Sequence, residues 1–439
     1  MQELMPETNI AVGLDIGTNR VCIVVAEKDE FGNLKVLAKG SADSDGLRRS
    51  TVVNINKTLA AIKAAVDEVE QESSLLIKCV NVALSGTQVR CIQSSSEISI
   101  NQTGVVNESD VNRFLEKATS NIQNLDVNHE IIHVIPQEFI VDDQDKLHDP
   151  IGMAGMTLRG NVYIVLGLKT NIRNIRHCVE GAGLKIGGLT FKPLALGLAV
   201  IKEREKRGGL VVIDIGGGST EVAVYFDGAI HYSEVIPVAA NDITLDIAHG
   251  VKVHEDVAEE LKIKYGCADS RIRSEDIDIV IEGLRGHSQK TFPKSSLTLI
   301  IEARMMEILE LVRDALTVSS YYGNINCGVI LTGGGSLLPG VVELAQLVLG
   351  LDVRIGYPEG VSGEVNRKGF VNNPMDVTAL GLVAYVYRNN FSGNHCFVKT
   401  VEEPKSPPLK ESDDIVLGQE KNLAWKKVVN SFHDWWAKL

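Results

Sequence analysis

The sequence predicts a mixed α/β protein of two related halves, with an α+β insert in the first half and an amphipathic helix at the C-terminal end. Three observations carry this. "VGLDIGTNRVCIVVAE" (Val12 to Glu27) and "VVIDIGGGSTEVAVY" (Val211 to Tyr225) share one pattern: an apolar run into Asp-Ile-Gly, a small polar turn, then a second apolar alternation. Each reads as a strand, a tight turn and a returning strand, and repetition at this spacing predicts halves of related topology that face each other. A third glycine run, "VILTGGGSLLPGVVELA" (Val329 to Ala345), reads as a buried strand entering Gly333, Gly334 and Gly335, with a helix starting near Pro339. All three tryptophans fall in residues 422–439.

Composition narrows the function classes. The 439 residues are 44% hydrophobic, enough for several structural units with ordinary cores. The net charge of −13 argues against nucleic acid, because phosphate binding needs a basic face. Seven cysteines without a CxxC pair indicate reduced thiols, not a disulfide framework or a zinc site. The N-terminus, "MQELMPETNI", is acidic and lacks the apolar run of a signal peptide. No uncharged apolar run is long enough to span a bilayer, so a cytosolic protein is expected.

The elements follow in order. After the first hairpin, "LAAIKAAVDEVEQE" (Leu59 to Glu72) has helical period, and "NVALSG" (Asn81 to Gly86) is a buried strand stopped by glycine. From there to about Val165 the chain reads as an insert. It holds the alternating strand "VRCIQSSSEISI" and the helix "NESDVNRFLEKATSNI", capped by Asn107 or Ser109. "NVYIVLGL" (Asn161 to Leu168) returns to a buried strand. In the second half, "EDVAEELKIKYG" and "SSLTLIIEARMMEILELVRDAL" are helices. The predicted divisions are a first lobe of residues 9–85 and 165–205 around an insert of 86–164. A second lobe covers 206–240 and 319–390, with a helical subdomain at 241–318. A linker of 391–421, rich in charge and proline, reaches roughly 30 Å if flexible. Residues 422–439 form the terminal helix.

The two Asp-Ile-Gly turns carry the predicted chemistry. Gly17, and Gly216, Gly217 and Gly218, let backbone N–H groups approach a phosphate closely, since no Cβ intervenes. One such turn from each half would grip a triphosphate from both sides. Asp15 and Asp214 would then hold the water shell of a Mg²⁺ ion bridging phosphate oxygens. Thr18, Asn19, Ser219 and Thr220 add donors, and Arg20 adds positive charge. The alternative is that these are tight turns and nothing more.

The tail has its own logic. On a helix, Trp425, Val428, Val429, Phe432, Trp435, Trp436 and Leu439 form one apolar stripe, with lysines prominent on the opposite face. Tryptophan suits the headgroup zone, so the helix is expected to lie in an anionic membrane surface rather than cross it. Docking on the protein's own core or on a partner is the alternative.

These motifs resemble those of the superfamily of actin, sugar kinases and DnaK-type chaperones. "LDIGTNR" is similar to its first phosphate loop, "IDIGGGSTE" to its second and "VILTGGGSLLPG" to its adenosine loop. Within it the chain resembles the FtsA family of bacterial cell-division proteins over nearly its whole length. "VNVALSGTQV", "HVIPQEF", "VIPVAANDITLDIA" and "EELKIKYGCA" stand in the expected order, and the insert falls where that family carries its own subdomain.

The resemblance implies a two-lobed actin-like fold that binds ATP with Mg²⁺. Glu259 and Lys262 would touch the nucleoside, with the alternative of a solvated i,i+3 pair. Gly333, Gly334, Gly335 and Ser336 would cradle the adenosine. Glu221 stands where chaperone relatives have an acid that orients water. Lys192 replaces another of their acids, either as a surface charge or as a phosphate contact, so slow or negligible hydrolysis is expected. The family implies polymerisation on the membrane, tethering of tubulin-like FtsZ filaments to the cytoplasmic face at the septum, and contacts with later division proteins. Arg304 and Glu307 are candidate contacts for the FtsZ C-terminal tail, or a surface ion pair. A sugar kinase, a polyphosphate hydrolase and a PilM-like pilus ATPase are the rival readings.

Overall fold

The computed structural model describes residues 10–30, 32–122, 126–144, 146–272, 275–281, 290–362 and 372–388, and the backbone of 399–400. The first lobe opens with strands β1 (Ile10–Ile16), β2 (Arg20–Lys28) and β3 (Leu34–Asp43), then helix α1 (Ile55–Ser73) and strand β4 (Cys79–Leu84). α1 begins earlier than its apolar period suggests, because the Asn54 side chain caps it by accepting from the Lys57 N–H. The insert contributes β5 (Val89–Ser99), α2 (Glu108–Ser120), β6 (His129–Val141) and β7 (Thr157–Leu168). The first lobe resumes with α3 (Lys169–Gly181), β8 (Lys185–Phe191) and α4 (Lys192–Val200). The second lobe runs through β9 (Leu210–Ile215), β10 (Thr220–Phe226), β11 (Ala229–Ile236), α5 (Ala240–Val251), α6 (Glu255–Tyr265), β12 (Asp278–Ile281), β13 (Lys290–Pro293) and α7 (Lys294–Val318). It closes with β14 (Val329–Thr332), α8 (Val341–Leu349), β15 (Val353–Ile355) and α9 (Val377–Arg388).

The two lobes are built alike. The first sheet has the order β8-β4-β1-β2-β3, extended by residues 361–362, and the second has β15-β14-β9-β10-β11. In each, the first three strands are antiparallel neighbours and the next two join in parallel. The duplication inferred from the two hairpins therefore extends to the whole sheet. Each lobe also ends on a helix containing Ala-Leu-Gly-Leu: Ala195–Leu198 in α4 and Ala379–Leu382 in α9. These helices pack on each other between the lobes, and the small residues permit the approach. A Cβ on Gly381 would strike the Ala195 carbonyl, and one on Gly13 of β1 would strike Ala379.

Alternation divides the first sheet's faces. Val12, Leu14, Ile23 and Val25 face α1 and α3, while the smaller Ala11, Cys22 and Ala26 face α9. In the insert, α2 starts at a capping box of Asn107 and Asp110 and lays Val111, Phe114 and Leu115 on a three-stranded sheet of order β5-β7-β6. Phe114 and Phe139 pack with centroids 5.3 Å apart. β6 is one of several elements that the sequence reading lacks. It contains Pro136, and proline is excluded from central strands. Here β6 is an edge strand, and its register with β7 shifts at Asn161/Val162, beside the proline's pairing with Val162.

The insert is not a detached module. One hydrophobic core runs from Phe114 and Ile164 through Phe191 and Leu196 to Leu210, Val212 and Ile330. Gln137 Nε2 donates to Ile230 O at 3.0 Å, and the Tyr163 and Ser233 hydroxyls lie 2.9 Å apart. The insert thus leaves the first lobe in sequence yet is also fastened to the second lobe's edge strand β11.

Candidate functional site

Equivalent hairpins in equivalent sheets bring their turns to one place. In the first, Asp15 pairs with Cys22 and the Gly17 N–H bonds the Arg20 carbonyl at 3.0 Å. In the second, Asp214 pairs with Glu221 and the Gly216 N–H bonds the Ser219 carbonyl at 3.0 Å. The turns face each other across the seam between the lobes. Asn19 and Asn241, at the start of α5, exchange two amide hydrogen bonds of 2.6 and 2.8 Å. The hydroxyls of Ser50 and Ser219 are 2.8 Å apart. A Cβ on Gly217 would lie 2.7 Å from Asn19, and one on Gly218 2.6 Å from the Thr18 hydroxyl. Only glycine leaves room for this approach.

Beneath the turns lies a cluster of buried charge. The Lys192 ammonium, at the start of α4, makes an ion pair with Asp214 Oδ2 and lies 3.6 Å from Glu221 Oε1. Glu221 is buried, and neither carboxylate oxygen has a hydrogen-bond partner of ordinary length. Burial pushes its carboxyl up to about 7; Lys192 opposes that rise and the neighbouring aspartates reinforce it. Asp15 is only partly screened by surface area, yet enough protein surrounds it for burial to raise its carboxyl too. For Lys192, attraction by Asp214, Glu221 and Asp15 outweighs the largest single influence, burial, and the ammonium is held charged. This corrects the surface-charge reading of Lys192.

The other predicted residues divide into three groups. Arg20 is committed to Asp376, with Nη2 at 2.5 Å from Oδ1, and Lys39 meets the other oxygen at 2.5 Å. Thr220 is fully buried, and its hydroxyl donates to the Val238 carbonyl at 2.8 Å. The adenosine-loop candidates do gather at the seam. Gly333 has φ +80°, and a Cβ there would collide with the Asp214 carboxylate; Gly335 packs on Ile215; Gly334 faces open space. The Ser336 hydroxyl donates to the Gly333 carbonyl at 2.7 Å. A short 3₁₀ turn, Gly334–Leu337, intervenes before α8, so the helix starts at Val341.

Glu259 and Lys262 are not a solvated pair. Lys262 is buried and bonds Ala240 O, the Thr244 hydroxyl and Glu259 Oε2 at 3.0, 2.8 and 2.6 Å. Thr244 donates in turn to Glu259 at 2.5 Å. Burial lowers the Lys262 ammonium's pKa, against the pull of Glu259. Arg304 forks onto Asp246 of α5 at 2.6 and 3.0 Å and also meets Glu307. Asp246, Thr244, Asn241 and Asp376 are absent from the sequence reading. A hydrophilic position one turn into α5 carries no signal until α6 and α7 are packed against it.

Mg²⁺ favours oxygen ligands and keeps several waters. Asp15 and Asp214 offer such oxygens at the seam, and the buried Glu221 carboxylate is a further acceptor. Among the described residues no three His, Cys, Asp or Glu side chains converge closely enough to hold a metal directly. The donor set fits an ion held through water. The stripe Trp425, Val428, Val429, Phe432, Trp435, Trp436 and Leu439 lies outside the described residues. Among those described, no helix is long and apolar enough to cross a membrane.

Comparison with known proteins agrees with this architecture. The family model "Cell division protein FtsA" matches residues 211–381, and that of the "SHS2 domain inserted in FTSA" matches 86–166. The chain is 36% identical over 381 residues to cell division protein FtsA of Borreliella burgdorferi, covering 86% of this chain and 91% of that one. It is 32% identical over 411 residues to the Pseudomonas aeruginosa protein (93% and 97%) and 33% over 388 to that of Bacillus subtilis (88% and 85%). Among solved structures, a PilM-PilN type IV pilus biogenesis complex superposes with a TM-score of 0.61 at 19% identity, covering 86% of this chain and 98% of that one. MreB5 of Spiroplasma citri bound to ADP superposes with 0.53 at 13%, covering 89% and 100%. At such identities these two speak for the fold alone. The chain belongs to the FtsA family of cell division proteins and has that family's two-lobed actin-like fold with an SHS2 insert.

Proposed function

We propose that this protein binds ATP with Mg²⁺ between its two hairpin turns, polymerises on the membrane, and anchors FtsZ filaments to the cytoplasmic face at the division septum. The observation that carries the nucleotide reading is the meeting of the two equivalent turns over Asp15 and Asp214. Thr18, Asn19 and Ser219 have their polar groups at the seam, hydrogen-bonded or close-packed across it. A triphosphate entering there exchanges these contacts for bonds to its own oxygens. Asp15 and Asp214 would hold the hydrated metal, which adds to the positive charge that an anionic ligand needs beside carboxylates. Gly333 and Gly335 bring the third loop against Asp214 and Ile215, where Gly334 and Ser336 would receive the nucleoside. Glu259 and Lys262 join α5 to α6 behind it. Bound nucleotide would then fix the two lobes in one relation suited to polymerisation.

The test is an equilibrium titration of adenine nucleotide in the presence of Mg²⁺. Asp214→Ala is expected to weaken binding by about 1–3 kcal/mol, the worth of a charged hydrogen bond. Equal affinity of the variant and the parent would remove Asp214 from the site.

Partner and membrane assignments rest on other features. The Arg304, Asp246 and Glu307 cluster joins α5 to α7, and in this reading Arg304 exchanges its Glu307 contact for a carboxylate of an acidic peptide tail such as that of FtsZ. The tryptophan stripe of the tail is the membrane anchor in this reading, joined to the body through the linker. Other division proteins would assemble on the same polymer.

A further inference from the structure

Lys192 stands where β8 ends and α4 begins, directly before Pro193. Proline in a helix's first turn forfeits no intrahelical bond and presets its φ, which fixes where the Lys192 side chain departs. A lysine ordinarily leaves its ammonium in water. This one is 12% exposed and reaches from the first lobe to two carboxylates of the second. Asp15 faces it from the first lobe's own hairpin. The result is one fixed cation among three carboxylates, under both turns. It neutralises part of their charge, and it takes up an oxygen of Asp214 that the water shell of a divalent ion would otherwise use.

We propose that Lys192 acts as a resident cation in the phosphate seam, so that this protein binds nucleotide with little dependence on a divalent metal ion. The proposal rests on the nucleotide reading above. An ammonium has three donors. It can hold Asp214 with one and turn another toward a phosphate oxygen. Without it, three carboxylates face an anionic ligand and a metal ion must supply all the compensating charge.

The experiment titrates a fluorescent N-methylanthraniloyl adenine nucleotide into the full chain, once with excess Mg²⁺ and once with chelator. Wild type, Lys192→Met and Lys192→Arg are compared, with circular dichroism to check folding. Wild type is expected to lose no more than about tenfold in affinity on chelation, and Lys192→Met about a hundredfold, the range of one charge-assisted contact. Lys192→Arg, which keeps the charge, should follow wild type. A wild-type loss of a hundredfold or more on chelation would overturn the proposal, and this measurement decides the matter even where Lys192→Met does not fold. Equal metal dependence in wild type and a folded Lys192→Met would overturn it too. Absence of binding to wild type with Mg²⁺ present would instead overturn the nucleotide reading, and the proposal with it.

Discussion

At the residue scale, the polar groups that matter here are those whose partners come from distant chain segments. His133 of β6 is buried; its Nε2 accepts the Phe191 N–H at 2.9 Å and its Nδ1 lies 3.4 Å from the Tyr385 hydroxyl. It therefore ties the insert to the end of β8 and to α9. Burial lowers its pKa from 6.5 to about 4. The folded state keeps it neutral while the unfolded chain protonates it. Its contribution to stability is complete above pH 6.5 and is lost as pH falls toward 4. Denaturant unfolding across that range should show a shallower loss for His133→Gln, which keeps an acceptor but cannot titrate. The expected difference in slope is on the order of 1 kcal/mol per pH unit. Parallel curves for the two proteins would show that His133 does not titrate on unfolding. None of this was legible from the sequence. His133 sits in a segment masked as a strand by Pro136, and Tyr385 is 252 positions away. Asp376 was hidden in the same way, since Arg20 reaches it across 356 positions.

At the scale of elements, what could be read was whatever advertises itself locally. Asp-Ile-Gly turns, the cap at Asn107 or Ser109 and the apolar periods of α1, α6 and α7 are short-range signals, and their elements stand close to where the sequence places them, with α1 starting one turn earlier. The pairing of sheets was legible only through repetition, and one repeat, Ala-Leu-Gly-Leu in α4 and α9, was available but unread. The insert was legible as a segment but not as a packing partner. Its core is continuous with that of both lobes, so removing it would uncover Phe191, Leu196 and Leu210. We propose that the insert takes part in self-association, and that role is better tested at the loops carrying Val105 and Met156. There Val105, Ile151 and Met156 are exposed, and the Gly155 N–H bonds the Gly104 carbonyl at 2.9 Å. An exposed apolar group of this kind suits contact with another subunit. Met156→Asp should abolish filaments on lipid monolayers while leaving the thermal midpoint within about 2 °C, as for a surface substitution. Filaments indistinguishable from wild type by electron microscopy would assign the insert another role.

At the scale of the whole molecule, the proposed function places an acidic chain beside an anionic surface that would repel it. In the proposed function the tail resolves this conflict: residues 422–439, as a helix, would enter the headgroup zone while the body stays clear. Each tryptophan ring in a membrane surface would bury an area worth roughly 1.5–3 kcal/mol, so such a helix would bind modestly alone, and polymerisation would add many such contacts at once. The most direct test mixes the protein with purified FtsZ filaments and liposomes of graded anionic content, then sediments the liposomes. FtsZ should appear in the lipid pellet with wild type and not when Trp435 and Trp436 are both replaced by Glu, although that variant's fold and FtsZ binding are unchanged. Equal recovery of FtsZ on the lipid with both proteins would contradict the account.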